Sequence, residues 1–234
     1  MPVRISFFRR LLDFFFPRYC AICGRELAVS DHAICTVCNW HLPRTRFHEV
    51  PRDNEMARRF WVLIPIEKAA ALYYYYAHSK STRVILQFKY NGRWNYAEDM
   101  GRIAANEFLD SGFFDGVDAI VPVPVTRKRK MQRGYNQSYH IALGVSELTG
   151  LPVITDAVER ISFSGSQTRK SAMERRENVK HVFRLRNSSR ISGRHILIVD
   201  DVVTTGSTII SCAEELLKGG ARAFSVMSIG YTKH

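Results

Sequence analysis

The sequence predicts an α/β fold, a parallel sheet with helices on both faces, with a small four-cysteine module at its amino-terminal end. Three observations predict it. Ile196, Leu197, Ile198 and Val199 form an unbroken aliphatic run, the pattern of a strand buried on both faces. Stretches of strand character alternate with stretches of helical spacing from residue 69 onward, and such alternation places helices over both faces of a parallel sheet. Two C-x2-C pairs, Cys20 with Cys23 and Cys35 with Cys38, stand 11 residues apart near the start, and so small a segment has little apolar core of its own.

The elements follow in order. Ser6 to Pro17 reads SFFRRLLDFFFP, where Arg9, Arg10 and Asp13 interrupt the apolar residues and no small-residue cleavage site follows. This speaks against a secretory signal and predicts a short amphipathic helix docked on the main domain, with binding to a membrane surface as the alternative. Two knuckles of thiolates, with Gly24 after the first, can complete a tetrahedral sulfur shell around a structural zinc ion. Disulfides compete for the same thiols, and the missing signal favours zinc. Cys212, in a helical stretch, reads as an ordinary buried thiol. Residues 47–59 turn polar and read as a linker, which divides the chain into a helix and zinc module over 1–50 and a main domain over 60–234.

Within that domain Ala69 to Ala77 has strand character, Ser79 to Tyr90 helical spacing through Val84, Ile85 and Phe88, and Asn95 to Leu109 helical spacing again. Ala119 to Val125 predicts a strand whose prolines end ladder pairing. Gln137 to Thr149 predicts a helix, Ile191 to Asp200 a strand, Thr208 to Leu217 a helix and Ala223 to Gly230 the last strand. No apolar run approaches the roughly 20 residues needed to span a bilayer. The expectation is a cytoplasmic, enzyme-sized protein without a transmembrane segment.

The formal charge of +12 is concentrated, since residues 127–194 carry 15 Lys/Arg against 5 Asp/Glu. So strong a local field implies a polyanionic ligand, either pyrophosphate or nucleic acid. In the richest part, Arg127 and Arg133 can neutralise phosphate oxygens, Gly134 admits close backbone approach, and Asn136 and Gln137 offer amides. With a nucleic-acid strand as ligand, Tyr135 becomes a platform for a base. Both readings use the same residues.

The chemistry is clearest after the aliphatic strand. Asp200 and Asp201 fall at its carboxyl end, where ligands bind such sheets. Val202, Val203, Thr204, Thr205, Gly206, Ser207 and Thr208 then form a short hydroxyl-rich loop into a helix, whose N–H groups and hydroxyls can surround a phosphate. Carboxylates beside a phosphate cradle make sense when the ligand also offers hydroxyl donors, as a ribose phosphate does.

The segment HILIVDDVVTTGST (His195 to Thr208) resembles the phosphoribosyl pyrophosphate (PRPP) signature of type I phosphoribosyltransferases. Nearly the whole chain is similar to the competence protein ComF family. The resemblance runs through the four cysteines, FKYNGRW (Phe88 to Trp94), VPVP with RGYNQ (Arg133 to Gln137), Glu159-Arg160, SQTRKSAMERRENV (Ser166 to Val179) and the PRPP segment. Tyr135 stands where that family usually has Phe. The resemblance implies a type I phosphoribosyltransferase-like sheet binding PRPP or another ribose phosphate with magnesium. Asp200 and Asp201 would hold the ribose hydroxyls, and residues 202–208 the terminal phosphate. A hood over Ser162 to Asn178 would bring Gln167, Arg169, Arg175, Arg176 and Asn178 to pyrophosphate or an acceptor. The family also implies natural competence, with incoming single-stranded DNA and competence or recombination proteins as partners. The alternative is an active phosphoribosyltransferase of nucleotide or related metabolism, with an unidentified acceptor and no role in DNA uptake. No general base is evident, His140 and His181 standing alone in the sequence.

Overall fold

The computed structural model describes residues 15–29, 31–76, 79–90, 92–161 and 182–233. Its strands are β1 (Ile66–Tyr74), β2 (Ala119–Pro122), β3 (Val158–Arg160), β4 (Phe183–Leu185), β5 (His195–Val203) and β6 (Ala223–Tyr231). Four of them form one parallel sheet in the order β1-β6-β5-β2, and β3 and β4 form a short antiparallel pair. All nine residues of β6 are buried, as are His195 to Val199 of β5. Successive side chains of a strand point to opposite faces, so both faces of this sheet are covered.

The covering helices include α1 (Thr36–Trp40), α2 (Glu55–Arg58), α3 (Lys80–Tyr90), α4 (Trp94–Phe108), α5 (Arg127–Arg133), α6 (Gln137–Thr149) and α7 (Ser207–Lys218). None among the described residues is long and apolar enough to cross a membrane. Residues 6–14 of the expected amphipathic segment lie outside the described residues.

Strand ends differ from the sequence reading for physical reasons. Ser188 to Arg194 close as turns on Ser188 O and Gly220 O, so β5 begins only at His195. It runs on to Val203 because Asp200, Val202 and Val203 still pair with Ser228, Gly230 and Tyr231. β2 stops at Pro122. Val123 N still donates to Val199 O at 2.9 Å, and Pro124, having no N–H, ends the ladder.

The polar stretch 47–59 is not a spacer but a packed brace. Asn54 caps α2 by accepting from Met56 N and Ala57 N, and its Nδ2 donates to the carbonyls of Phe47, Val50 and Ala69. This hydrogen bonding lets a polar sequence bury Phe47, Met56, Ala57 and Phe60.

Helices α4 and α6 cross closely, and two glycines permit it. A Cβ on Gly144 would stand 2.0 Å from Glu98 O, and one on Gly101 2.2 Å from Ile141 O. Neither carbonyl can retreat without breaking its helix. Gly144→Ala is therefore expected to cost about 3 kcal/mol through overpacking, read as a fall of roughly 6–12 °C in thermal midpoint. An unchanged midpoint would show that the helices have room to part.

Candidate functional site

The site lies at the carboxyl ends of β2 and β5. Asp200 and Asp201 are consecutive on β5, so their carboxylates diverge to opposite sides of the strand. Asp200 Oδ1 accepts from Ser138 Oγ at 2.9 Å and from Asp201 N at 2.8 Å. Asp201 Oδ2 lies 2.9 Å from Lys89 Nζ on α3. Ser138 is placed by Asn136, whose Oδ1 accepts from Ser138 N at 3.1 Å while its Nδ2 donates to Val123 O at 3.0 Å. The cap of α6 is thereby tied to the end of β2.

Burial, reinforced by the charge of Asp201, pushes the Asp200 carboxyl up to about 7; the bonds from Asp201 N and Ser138 and the charge of Lys89 oppose it. Around the pair opens a cavity of about 400 Å³ whose polar walls include Lys89, Arg129, Arg133, Gln137, Ser138 and Arg160. Arg133 Nη1 donates to Gln137 Oε1 at 2.9 Å, and since guanidinium only donates, this fixes the amide with Nε2 turned away. That Nε2 is buried without a hydrogen-bond partner among the described residues.

After β5 the chain turns through Thr204, Thr205 and Gly206 into α7. Gly206 adopts φ +83°, and a Cβ there would lie 2.9 Å from Phe60 Cε1. Arg59 grips the same turn, donating to Thr204 O and, at 2.8 Å, to Thr232 O, with its guanidinium 4.4 Å from the Tyr231 ring centre. Within the turn the Thr205 and Ser207 hydroxyls lie 2.9 Å apart and Ser207 N donates to Thr205 Oγ1 at 3.4 Å, so an arriving anion would take these donors in exchange for their mutual bonds.

Of the sequence-predicted residues, Asp200, Asp201, Val202, Thr208, Arg133 and Gln137 line the main cavity, and Val203, Thr204, Thr205, Gly206 and Ser207 a smaller adjoining hollow. Gly134 and Asn136 line a neighbouring cavity. Arg127 opens α5 on the exposed surface. Arg169, Arg175 and Arg176, with the rest of the expected hood, lie outside the described residues. Sequence reasoning missed Lys89, Ser138, Arg160, Arg59 and Phe60 as site residues. Lys89 and Arg160 sat inside FKYNGRW and Glu159-Arg160, so a signal existed; Arg59 and Phe60 lay at and just beyond the end of the supposed linker.

The cysteines converge as well. The Sγ atoms of Cys20, Cys23, Cys35 and Cys38 all lie within 4.8 Å of one another. All four are free, and Cys23 Sγ and Cys35 Sγ stand 3.9 Å apart. A disulfide would need about 2.05 Å, whereas four sulfurs at about 2.3 Å from a tetrahedral ion stand about 3.8 Å from one another. Cys35 N approaches Cys20 Sγ at 3.4 Å and Cys38 N approaches Cys35 Sγ at 3.4 Å, amides aimed as thiolates require. A hydrogen bond from the Arg25 backbone pulls the Cys23 thiol down to about 6. The donor set fits a closed, structural metal centre. Around it, Tyr96 Oη donates to Tyr19 O at 2.7 Å, Tyr73 Oη to Asn39 Oδ1 at 2.7 Å, and Arg44 pairs with Glu107 at 2.7 Å. These bonds seat the cysteine segment on β1 and α4.

Residues 97–230 match the family model of the phosphoribosyl transferase domain. Over 226 residues the chain is 32% identical to DNA utilization protein YhgH of Escherichia coli (strain K12), covering 90% of this chain and 95% of that one. The chain belongs to the ComF family. Within it, the chain is 34% identical over 113 residues to competence protein F of Haemophilus influenzae, covering 48% and 49% of the two chains. It is 28% identical over 214 residues to competence protein ComFC of Bacillus subtilis, covering 89% and 75%. The ComF-family chain thus carries the phosphoribosyltransferase fold together with its four-cysteine centre.

Proposed function

We propose that this ComF-family chain binds PRPP, or another ribose phosphate, in the cavity around Asp200 and Asp201, in a competence-linked setting where it meets incoming single-stranded DNA. One observation carries the reading: an acid pair and a phosphate-type turn share one strand end, inside a cavity otherwise walled by cations. Asp200 and Asp201 accept the ribose hydroxyls. The turn from Val203 to Ser207, with the start of α7, takes the terminal phosphate, binding energy remote from the reacting carbon that positions it. Lys89, Arg129, Arg133 and Arg160 offset the pyrophosphate charge.

Magnesium fits as a passenger of that ligand, for the described residues lining the site supply two carboxylates and no third, and when bound it would neutralise pyrophosphate. Zinc is the metal we assign to the four thiolates, and thiols kept reduced for a metal favour a cytoplasmic setting. The DNA strand is assigned to α5, where Arg127, Lys128, Arg129 and Lys130 are exposed and form no ion pair among the described residues. The setting follows the names of the relatives.

The test is calorimetric titration of the full chain with PRPP and magnesium. Saturable binding, weakened when ribose without its phosphate replaces PRPP, is expected. No heat from PRPP at millimolar concentration would remove the reading.

A further inference from the structure

The turn after β5 is backed by two residues of a distant segment. Arg59 closes α2 and Phe60 follows it. The guanidinium of Arg59 bridges two carbonyls, Thr204 O in the turn and Thr232 O just past the end of β6, and lies over the ring of Tyr231. The Phe60 ring is fully buried and packs directly against Gly206. This short segment is itself fixed at both ends. Asn54 caps α2 on one side, and on the other Leu63 N and Ile64 N both donate to Phe60 O, at 3.1 and 3.2 Å. The reversal holds Val62 at φ +68°, a left-handed conformation that a β-branched residue adopts only where its surroundings impose it.

What Arg59 fixes is the direction of a peptide. In a planar trans peptide the carbonyl and the next N–H point to opposite sides. Thr204 O is turned to Arg59, so the Thr205 N–H points away from it. The preceding peptide is set the same way by the sheet, because Val203 O accepts from Thr232 N at 3.0 Å and the Thr204 N–H is thereby turned from β6. Since Arg59 ties Thr204 O to Thr232 O, both carbonyls face the end of β6 and both N–H groups face the other way. Neither amide donates to a backbone carbonyl among the described residues. Both residues line the small hollow that also touches Asp200 and Thr208. Successive N–H groups turned to one side form a concave donor pair suited to an anion. The sheet locks the first of them, and Arg59 holds the second.

We propose that Arg59 is a positioning residue of the phosphate turn: by bridging Thr204 O and Thr232 O it aims the Thr205 N–H at the anion, so that a residue 145 positions earlier in the chain sets the affinity of the turn for phosphate. The inference rests on the ribose-phosphate reading, since it takes this turn as the seat of the phosphate. Arg59 acts through the turn and not on the ligand, its fork engaged by two carbonyls and its face by a ring. Released from Arg59, the peptide between Thr204 and Thr205 is free to rotate, and a rotated peptide shows the anion a carbonyl oxygen in place of a donor. The brace over 47–59 thus does more than cover β1, for it carries the arginine that keeps the turn receptive.

The probes are inorganic phosphate and pyrophosphate, added to the isotope-labelled full chain and followed by amide NMR and calorimetry. Phosphate is expected to shift the Thr204 and Thr205 amide resonances of the parent. In Arg59→Met the Thr205 shift should vanish, and phosphate affinity read at Thr204 should fall about tenfold or more, the effect of losing one hydrogen bond to a charged group. Pyrophosphate, bound by the cations around Asp200 and Asp201, should keep its affinity. Arg59→Lys retains the charge without the planar fork and should lose the Thr205 shift too. Three results would overturn the inference: equal phosphate affinity in parent and Arg59→Met, an Arg59→Lys chain that behaves as the parent, which would make the role one of charge, or a parallel loss of both anions, which would make it one of stability. A parent whose turn amides ignore phosphate would overturn the ribose-phosphate reading along with it.

Discussion

Stripping the metal from the four-cysteine centre is expected to unfold residues 20–42 and to release about one zinc ion per chain. A structural zinc contributes on the order of 10 kcal/mol to the folded state of a small module. Here it would join Cys20, Cys35 and Cys38, all buried, to the exposed Cys23. Without it, three buried sulfurs would crowd around an empty centre with only weak amide donors. The loss should spread. Tyr19 O accepts from Tyr96, and Asn39 accepts from Tyr73, a fully buried residue of β1. Cys35→Ser should reproduce the chelated state, because Cys35 is both a ligand and the N-cap of α1. Atomic absorption gives the metal content and circular dichroism the lost structure. A chain that holds no zinc, or that keeps its melting curve after chelation, would refute a structural metal.

The parts legible in the sequence are those where one local rule decides. The existence of β5, though not its ends, was legible because a strand covered on both faces shows as an apolar run, Ile196 to Val199, and β6 because only Ser225 and Ser228 interrupt its apolar residues. Gln137–Thr149 read correctly because Asn136 caps it and Gly150 ends it in the left-handed region. The place of the acid pair at a strand end was legible because strand, acids and hydroxyl loop are contiguous. What did not read was anything assembled from distant segments. Lys89 reaches Asp201 from 112 positions away, a relation no periodicity encodes. Arg59 grips a loop 145 residues later. The stretch before it looked like a linker because its polar side chains are spent on backbone carbonyls, and hydropathy counts such residues as solvated. His140 looked solitary because Glu98, 2.8 Å from its Nδ1, belongs to another helix.

Replacing both acids, Asp200→Asn with Asp201→Asn, is expected to reduce PRPP affinity by at least about a hundredfold while the fold persists. Each hydrogen bond to a charged group contributes about 1.5–3 kcal/mol, and a ribose offers two hydroxyls to this pair. Asparagine keeps the shape and replaces one acceptor oxygen by a donor. In the parent chain, affinity should also depend on pH with a sign set by Asp200. With its carboxyl near 7, the ionised, accepting form grows as pH rises through that value, so PRPP should bind more tightly at pH 8 than at pH 6. Stability should move the other way. A carboxyl raised from 3.8 in the unfolded chain stabilises fully below about 4, and that contribution is lost progressively up to about 7 and is gone above it. Asp200→Asn alone should flatten both profiles in that window. Calorimetry at pH 6, 7 and 8 on parent and single variant reads the first, and urea unfolding the second. Equal PRPP affinities at pH 6 and 8 in the parent would mean that Asp200 does not accept the ribose, and an unchanged affinity in the double variant would move the sugar away from these acids altogether.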